Sequence, residues 1–171
     1  TNYHSITPAK SLDASGHMID NVSMPSPAFR PVFVMDGNQR SALAATRSLG
    51  RKGVDVWVGA PEDVAIAGVS RYAKRYVQYP SPADSPQAFA DWLEQFCRQH
   101  PGLILYPMTE ITVDLCLRFC SRWEGAILPF APLATVDSLA NKVELMQLAR
   151  KVGVSVPDFR VVNPGEQLHQ S

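Results

Sequence analysis

From Pro31 onward, short apolar runs alternate with longer segments whose apolar residues recur every three or four positions. The first pattern suits a strand covered on both faces, the second a helix laying one face on a sheet. Their alternation is the order that yields βαβ units and a parallel sheet. The first strand is expected at Val32-Phe33-Val34-Met35. A helix from about Ser41 follows, with Ala42, Leu43, Thr46 and Leu49 on its buried stripe and Gly53 as its stop. Strand two is expected at Val54-Asp55-Val56-Trp57-Val58, then a short helical piece near Val64 to Gly68. A weaker edge strand at Arg75 to Tyr79 is closed by Pro80.

The clearest helix opens with Ser85 as cap and Pro86 at its first position. It carries Phe89, Trp92, Leu93, Phe96 and Cys97 before His100-Pro101-Gly102 ends it. Strand four, Leu103 to Tyr106, runs through Pro107-Met108-Thr109-Glu110 into a helix that continues towards Trp123. A fifth strand is expected at Ala126-Ile127-Leu128, stopped by Pro129. The predicted fold is therefore a three-layer, Rossmann-like α/β domain with a five-stranded parallel sheet in the order 3-2-1-4-5. Beyond it, Asp137 is expected to cap a short turn. Asn141 with Glu144 resembles a capping box for a helix carrying Leu145, Leu148 and Val152, and Val154 to Pro157 could open a strand of another domain.

These shifts divide the chain into an irregular leader over residues 1–30, an α/β domain over 31–134 and the start of a second domain over 135–171. Composition fits this division: 46% hydrophobic and 19% charged residues are a globular mixture. Sixteen basic residues balance sixteen acidic ones, so no overall field draws nucleic acid or an anionic membrane, and neither partner is expected. No run is long enough for a membrane-spanning helix, and residues 1–30 lack the apolar core of a secretory signal. Three cysteines are an odd, sparse set, which points to reduced thiols and a cytoplasmic protein. Cys116 and Cys120 share a helix face but lack the further ligands of a zinc site, and the four histidines are scattered without metal spacing, so no metal site is expected.

In a doubly wound sheet, ligands bind outside the carboxyl ends of the strands, where crossovers diverge. The loop after strand one, Asp36-Gly37-Asn38-Gln39-Arg40-Ser41, offers helix-start amides and a guanidinium suited to a carboxylate or phosphate. It has one glycine where a dinucleotide fingerprint needs three, and no Walker lysine. Thr109 and Glu110 after strand four face the same expected crevice, with Arg71, before strand three, closing one side. Each has a plain structural duty as well: Asp36 and Asn38 shape a turn, Ser41 and Thr109 cap helices, and Glu110 suits a helix dipole. A hydrolase elbow is absent, and Gln78-Tyr79-Pro80 lacks the acidic cluster of a receiver domain.

The succession Val34-Met35-Asp36-Gly37-Asn38-Gln39-Arg40-Ser41, Ser70-Arg71-Tyr72, Tyr79-Pro80-Ser81-Pro82, Tyr106-Pro107-Met108-Thr109-Glu110 and Asn141-Lys142 resembles ATP-grasp enzymes related to carbamoyl-phosphate synthase large subunits, over roughly residues 31–160. The resemblance implies a pre-ATP-grasp domain that helps form the acceptor-substrate site of a carboxylate-amine ligase. Such enzymes phosphorylate a carboxylate with ATP and magnesium, and an amine then displaces the phosphate. With the strand-end loops placed at that site, Asp36, Asn38, Gln39, Arg40, Ser41, Arg71, Thr109 and Glu110 are expected to bind substrate, and the resemblance implies that Lys142 approaches the nucleotide, although Asn141 stands where the family usually has aspartate. The family's second lysine, phosphate loop and magnesium carboxylates would lie beyond Ser171. Hence no catalytic residue and no cofactor is expected within this chain alone. ATP and Mg2+ are expected for the complete enzyme, and the missing ATP-grasp domain is expected as a partner in cis or in trans. A homodimer is compatible with the same reading. The rival reading is a non-catalytic module that binds a small anion in the same crevice.

Overall fold

The computed structural model describes residues 29–162. The expected leader, apart from residues 29 and 30, lies outside the described residues, as does the polar end from 163. Four strands, β1 (Val32–Val34), β2 (Val56–Ala60), β3 (Ala73–Gln78) and β4 (Ile104–Tyr106), form one parallel sheet in the order β3-β2-β1-β4. Between and after them run α1 (Arg40–Arg51), α2 (Pro86–Gln99), α3 (Glu110–Arg118), a single 3-10 turn at Cys120–Arg122, α4 (Leu133–Ala140) and α5 (Lys142–Lys151).

Alternation along β1 distributes the core. Val32 and Val34 point to the α1 face, where they meet Ala42, Val56 and Val58. Phe33 and Met35 point to the α2–α3 face, among Phe89, Leu93, Leu105 and Cys116. Each large side chain fully buried there stabilises the fold by about 1.5–3 kcal/mol. Phe33 is the hub of this thicker layer, with its ring 4.9 Å from Phe96 and 6.4 Å, edge-on, from Tyr79. The α1 face is thinner because residues 61–69 form turns rather than the helical piece expected near Val64 to Gly68.

The fifth strand is a correction to the expected topology. Ala126 to Leu128 reaches the far side of β4, but only Ile127 pairs, in a single parallel bridge with Ile104. Its amide donates to the Leu103 carbonyl and its carbonyl accepts from Leu105, each at 2.8 Å. Gly125, at φ 77°, turns the chain in immediately before it, and Pro129 brings no donor after it, so the ladder cannot lengthen. The sheet therefore has four strands rather than five.

Helix ends also differ in detail. The cap of α1 is Gln39, in extended backbone and without a side-chain capping bond, so Ser41 lies inside the helix and does not cap it. Asp137 lies within α4, which runs across the point where the second domain was expected to begin. Asn141 caps α5 as its sequence suggests, accepting from the Val143 and Glu144 amides. Val154 to Pro157 forms no strand. Neither α4 nor α5 buries a residue, and Leu139, Leu145 and Leu148 are exposed. Among the described residues no helix is long and apolar enough to cross a membrane.

Candidate functional site

The carboxyl end of β1 is organised by Asp36. Its backbone sits at φ 55°, a left-handed conformation that a side chain other than glycine adopts only at a cost. The carboxylate offsets that cost by tying three segments together. Oδ2 accepts from the Met108 amide at 2.9 Å, the Thr109 amide at 2.8 Å and the Thr112 hydroxyl at 2.5 Å. Oδ1 accepts from the Tyr79 hydroxyl at 3.3 Å, and that same hydroxyl accepts from the Asp36 amide at 2.8 Å. Burial, and then the Asp36 charge, push the Tyr79 phenol well above its ordinary range, so it stays a neutral donor. Asp36 thus fixes the loop after β4 and the end of β3 relative to β1.

Gly37 follows because the turn is tight. A Cβ there would stand 2.9 Å from both the Ala65 Cβ and a Val58 methyl, while the Gly37 amide and carbonyl bond to Gly59 and Ala67. The next residues, Asn38 to Ser41, are exposed at the start of α1. On the opposite side, Thr109 caps α3 in a reciprocal box with Thr112, and Glu110 occupies the first helical turn.

Between these ends lies a crevice of about 170 Å³, lined by Asp36, Asn38, Gln39 and Thr109 from the expected loops. Pro61, Glu62 and Ser81 complete the wall. Its charged side chains, Asp36 and Glu62, are both acidic, and no cation lines it. Arg40 and Ser41 stand beside it on α1. Glu110 lines the adjoining cleft of about 590 Å³ between α3 and α4, which shares Pro82, Ala83 and Ile111 with the crevice.

Two expected residues lie elsewhere. Arg71 precedes β3, and in a parallel sheet a residue entering a strand sits at its amino end, so Arg71 cannot close a crevice built at the carboxyl ends. It lines a separate cleft with Lys74 and Arg75. Lys142 is exposed at the first position of α5 and lines none of these clefts. Conversely, Glu62 and Ser81 leave the carboxyl ends of β2 and β3. The strand-end rule marks them as surely as Asn38, once the chain is followed out of each strand rather than into it.

Among the described residues no group of three or more His, Cys, Asp or Glu side chains could hold a metal ion. Cys97, Cys116 and Cys120 are free thiols.

No protein-family model matches the chain, and no curated protein matches it in sequence. Solved structures do share its fold. An L-amino acid ligase from Bacillus licheniformis superposes with a TM-score of 0.56 at 15% identity, over 77% of this chain and 32% of that one. An N5-carboxyaminoimidazole ribonucleotide synthetase from Thermotoga maritima does so with a TM-score of 0.50 at 16% identity, over 80% and 34%. The chain spans about a third of the length of either, and its fold is one shared with part of a ligase and part of a synthetase.

Proposed function

We propose that this chain is the acceptor-side domain of an ATP-grasp ligase that activates a carboxylate as an acyl phosphate and transfers the acyl group to an amine. The observation that carries the reading is the polarity of the crevice at the carboxyl end of the sheet. Acidic Glu62 stands on one wall, and the uncapped amides of α1 with Arg40 stand beside the other. An ammonium group suits the first and a carboxylate the second, so an amino acid fits with its two ends held apart. The fold shared with an L-amino acid ligase supports the same acceptor.

In the reaction, the substrate carboxylate attacks the γ-phosphorus of ATP, ADP leaves, and the amine then displaces inorganic phosphate from the acyl phosphate and loses a proton. The part of this chain is to hold the amine. Asn38 and Gln39 orient it, Glu62 binds its ammonium form, and Thr109, fixed by Asp36, lines the floor. Glu110 would meet only an acceptor long enough to reach the α3–α4 cleft. ATP and Mg2+ belong to an ATP-grasp domain supplied in cis or in trans, towards which Lys142 would contribute one charge. The closer relation to carbamoyl-phosphate synthase large subunits rests on the sequence succession alone, and a cytoplasmic setting on the free thiols.

Acceptor kinetics in the complete enzyme test this. Arg40→Ala and Glu62→Gln should each raise the KM for the amine about tenfold, the worth of one charge-assisted hydrogen bond, and leave the KM for ATP unchanged. Amine kinetics that both variants leave untouched would remove the acceptor from this crevice. Amino-acid binding without any amine-dependent ADP formation would instead establish the non-catalytic anion module.

A further inference from the structure

Several arginines of the described residues differ in how their charge is met. Arg98, Arg118, Arg122 and Arg150 each pair with an Asp or Glu side chain. Arg47, Arg51, Arg71 and Arg75, together with Lys74, pair with none. These five cations converge at the amino ends of β2 and β3, opposite the acceptor crevice. Arg71, Lys74 and Arg75 line a cleft of about 980 Å³ between the end of α1, the start of β3 and the end of α2. A second cleft of about 490 Å³ meets it at Arg71 and Tyr72 and adds Arg47 and Arg51. The only acidic side chain in either wall is Asp55.

Two of these cations lie over aromatic rings, which fix position without cancelling charge. The Arg75 guanidinium lies 4.5 Å over the Trp57 ring. Its Nη1 is 3.4 Å from His100 Nε2, which accepts when Nδ1–H donates to the Phe96 carbonyl 2.9 Å away. The Arg71 guanidinium lies 4.8 Å over the Tyr72 ring and donates to that hydroxyl at 2.8 Å. Plainer duties exist for single members: edge-strand cations such as Lys74 discourage strand pairing, and Arg51 complements the negative end of α1. Those duties ask for charge but not for convergence on a concave wall. The helix end and Asp55 together contribute about one and a half negative charges against five positive ones.

We propose that this cleft is a binding site for a small ligand carrying a diphosphate group, distinct from the acceptor crevice. Its volume is that of a small-molecule site, and forked guanidiniums on fixed rings match adjacent phosphate oxygens. Recognition goes through the phosphates, so a nucleoside diphosphate and a simple diphosphate share the chemistry. The balanced net charge and the concave shape favour a small ligand over a nucleic-acid strand.

Titration calorimetry on the protein in magnesium-free, low-salt buffer distinguishes the sources, with inorganic pyrophosphate, ADP and a single-stranded oligonucleotide as probes. Pyrophosphate and ADP should bind with similar affinity and compete for one site. Arg71→Ala and Arg75→Ala should each weaken both at least about tenfold, Arg75→Lys should keep the charge but lose the fork and so recover only part of that affinity, and Arg118→Ala should change nothing. Circular dichroism confirms that the variants, all at exposed positions, keep their fold. Absence of pyrophosphate binding at millimolar concentration, unchanged affinity in the Arg71→Ala/Arg75→Ala double variant, or oligonucleotide binding that pyrophosphate does not displace would each overturn the proposal.

Discussion

Asp36 joins a backbone conformation that costs roughly 1–3 kcal/mol to a side chain that makes the cost worthwhile. Removing its carboxylate leaves two amides and two hydroxyls without their acceptor, so Asp36→Ala should lower stability by about 3 kcal/mol in urea unfolding. Asp36→Asn tolerates the same backbone and keeps one carbonyl oxygen, so it should lose less. Alkaline stability supplies a second test. The folded-state pKa of Tyr79 is raised above its ordinary value of 10.0, so this phenol contributes stability that is complete below that pH and is lost as the pH rises above it. The buried thiol of Cys97, pushed up from 9.0 to about 12 by burial, adds to the same alkaline fall. Tyr79→Phe should therefore be less stable than the parent near neutral pH and show a shallower loss above pH 10 than the parent does. An identical alkaline slope in both proteins would exclude Tyr79 from it. Asp36 was legible as a turn residue because a strand ends there and glycine follows. Its partnership with Tyr79, 43 residues on, and Thr112, 76 residues on, was not, because no local pattern records which distant donor a carboxylate will meet.

At the scale of elements, periodicity placed the four strands and the long helices, because burial on one or two faces leaves a period that composition cannot hide. Ends and short pieces were less legible. Gln39, not Ser41, precedes α1, because the left-handed Asp36 starts the turn early enough for Arg40 to be helical. The 61–69 segment stays in turns, with the Gly37 carbonyl accepting from Ala67 where a helix would have satisfied its own amides. Ile127 pairs alone because glycine and proline bracket a run too short to ladder. Where a cap was legible, it is testable. Thr109→Ala removes the oxygen that accepts from the Thr112 amide and should destabilise the protein by about 1 kcal/mol, read as a lower midpoint in thermal or urea unfolding. Because Thr109 also lines the crevice, its variant should gain less stability from a bound acceptor than the parent does, whereas a cap variant remote from the site should gain the same increment as the parent.

Across the whole molecule, the sheet separates two chemistries. Its carboxyl end presents an acidic crevice beside the free amides of α1, and its amino end presents cations without carboxylate partners. The overall charge balance of the sequence conceals this segregation, because a sum over residues carries no position. Arg71 enters β3, so the parallel topology assigns it to the amino end, a placement that its order in the sequence already carried. The proposed ligase reading makes its strongest demand at this scale. Phosphoryl transfer from ATP needs several cations around the phosphates and carboxylates around magnesium, and the described residues bring no such metal-binding group together, with Lys142 exposed on a helix that buries nothing. The 171-residue chain should therefore form no ADP from Mg-ATP with any amino acid present, and amine-dependent ADP formation should appear when the ATP-grasp domain is supplied. In that complete enzyme Lys142→Ala should raise the KM for ATP several-fold and leave the amine KM unchanged, the mirror image of Arg40→Ala. A coupled assay for ADP reads both. Sustained ADP formation by the chain alone would place the nucleotide site within it, and an amine KM that moves with Lys142 would mean that the two ends of the reaction are not divided between domains as proposed.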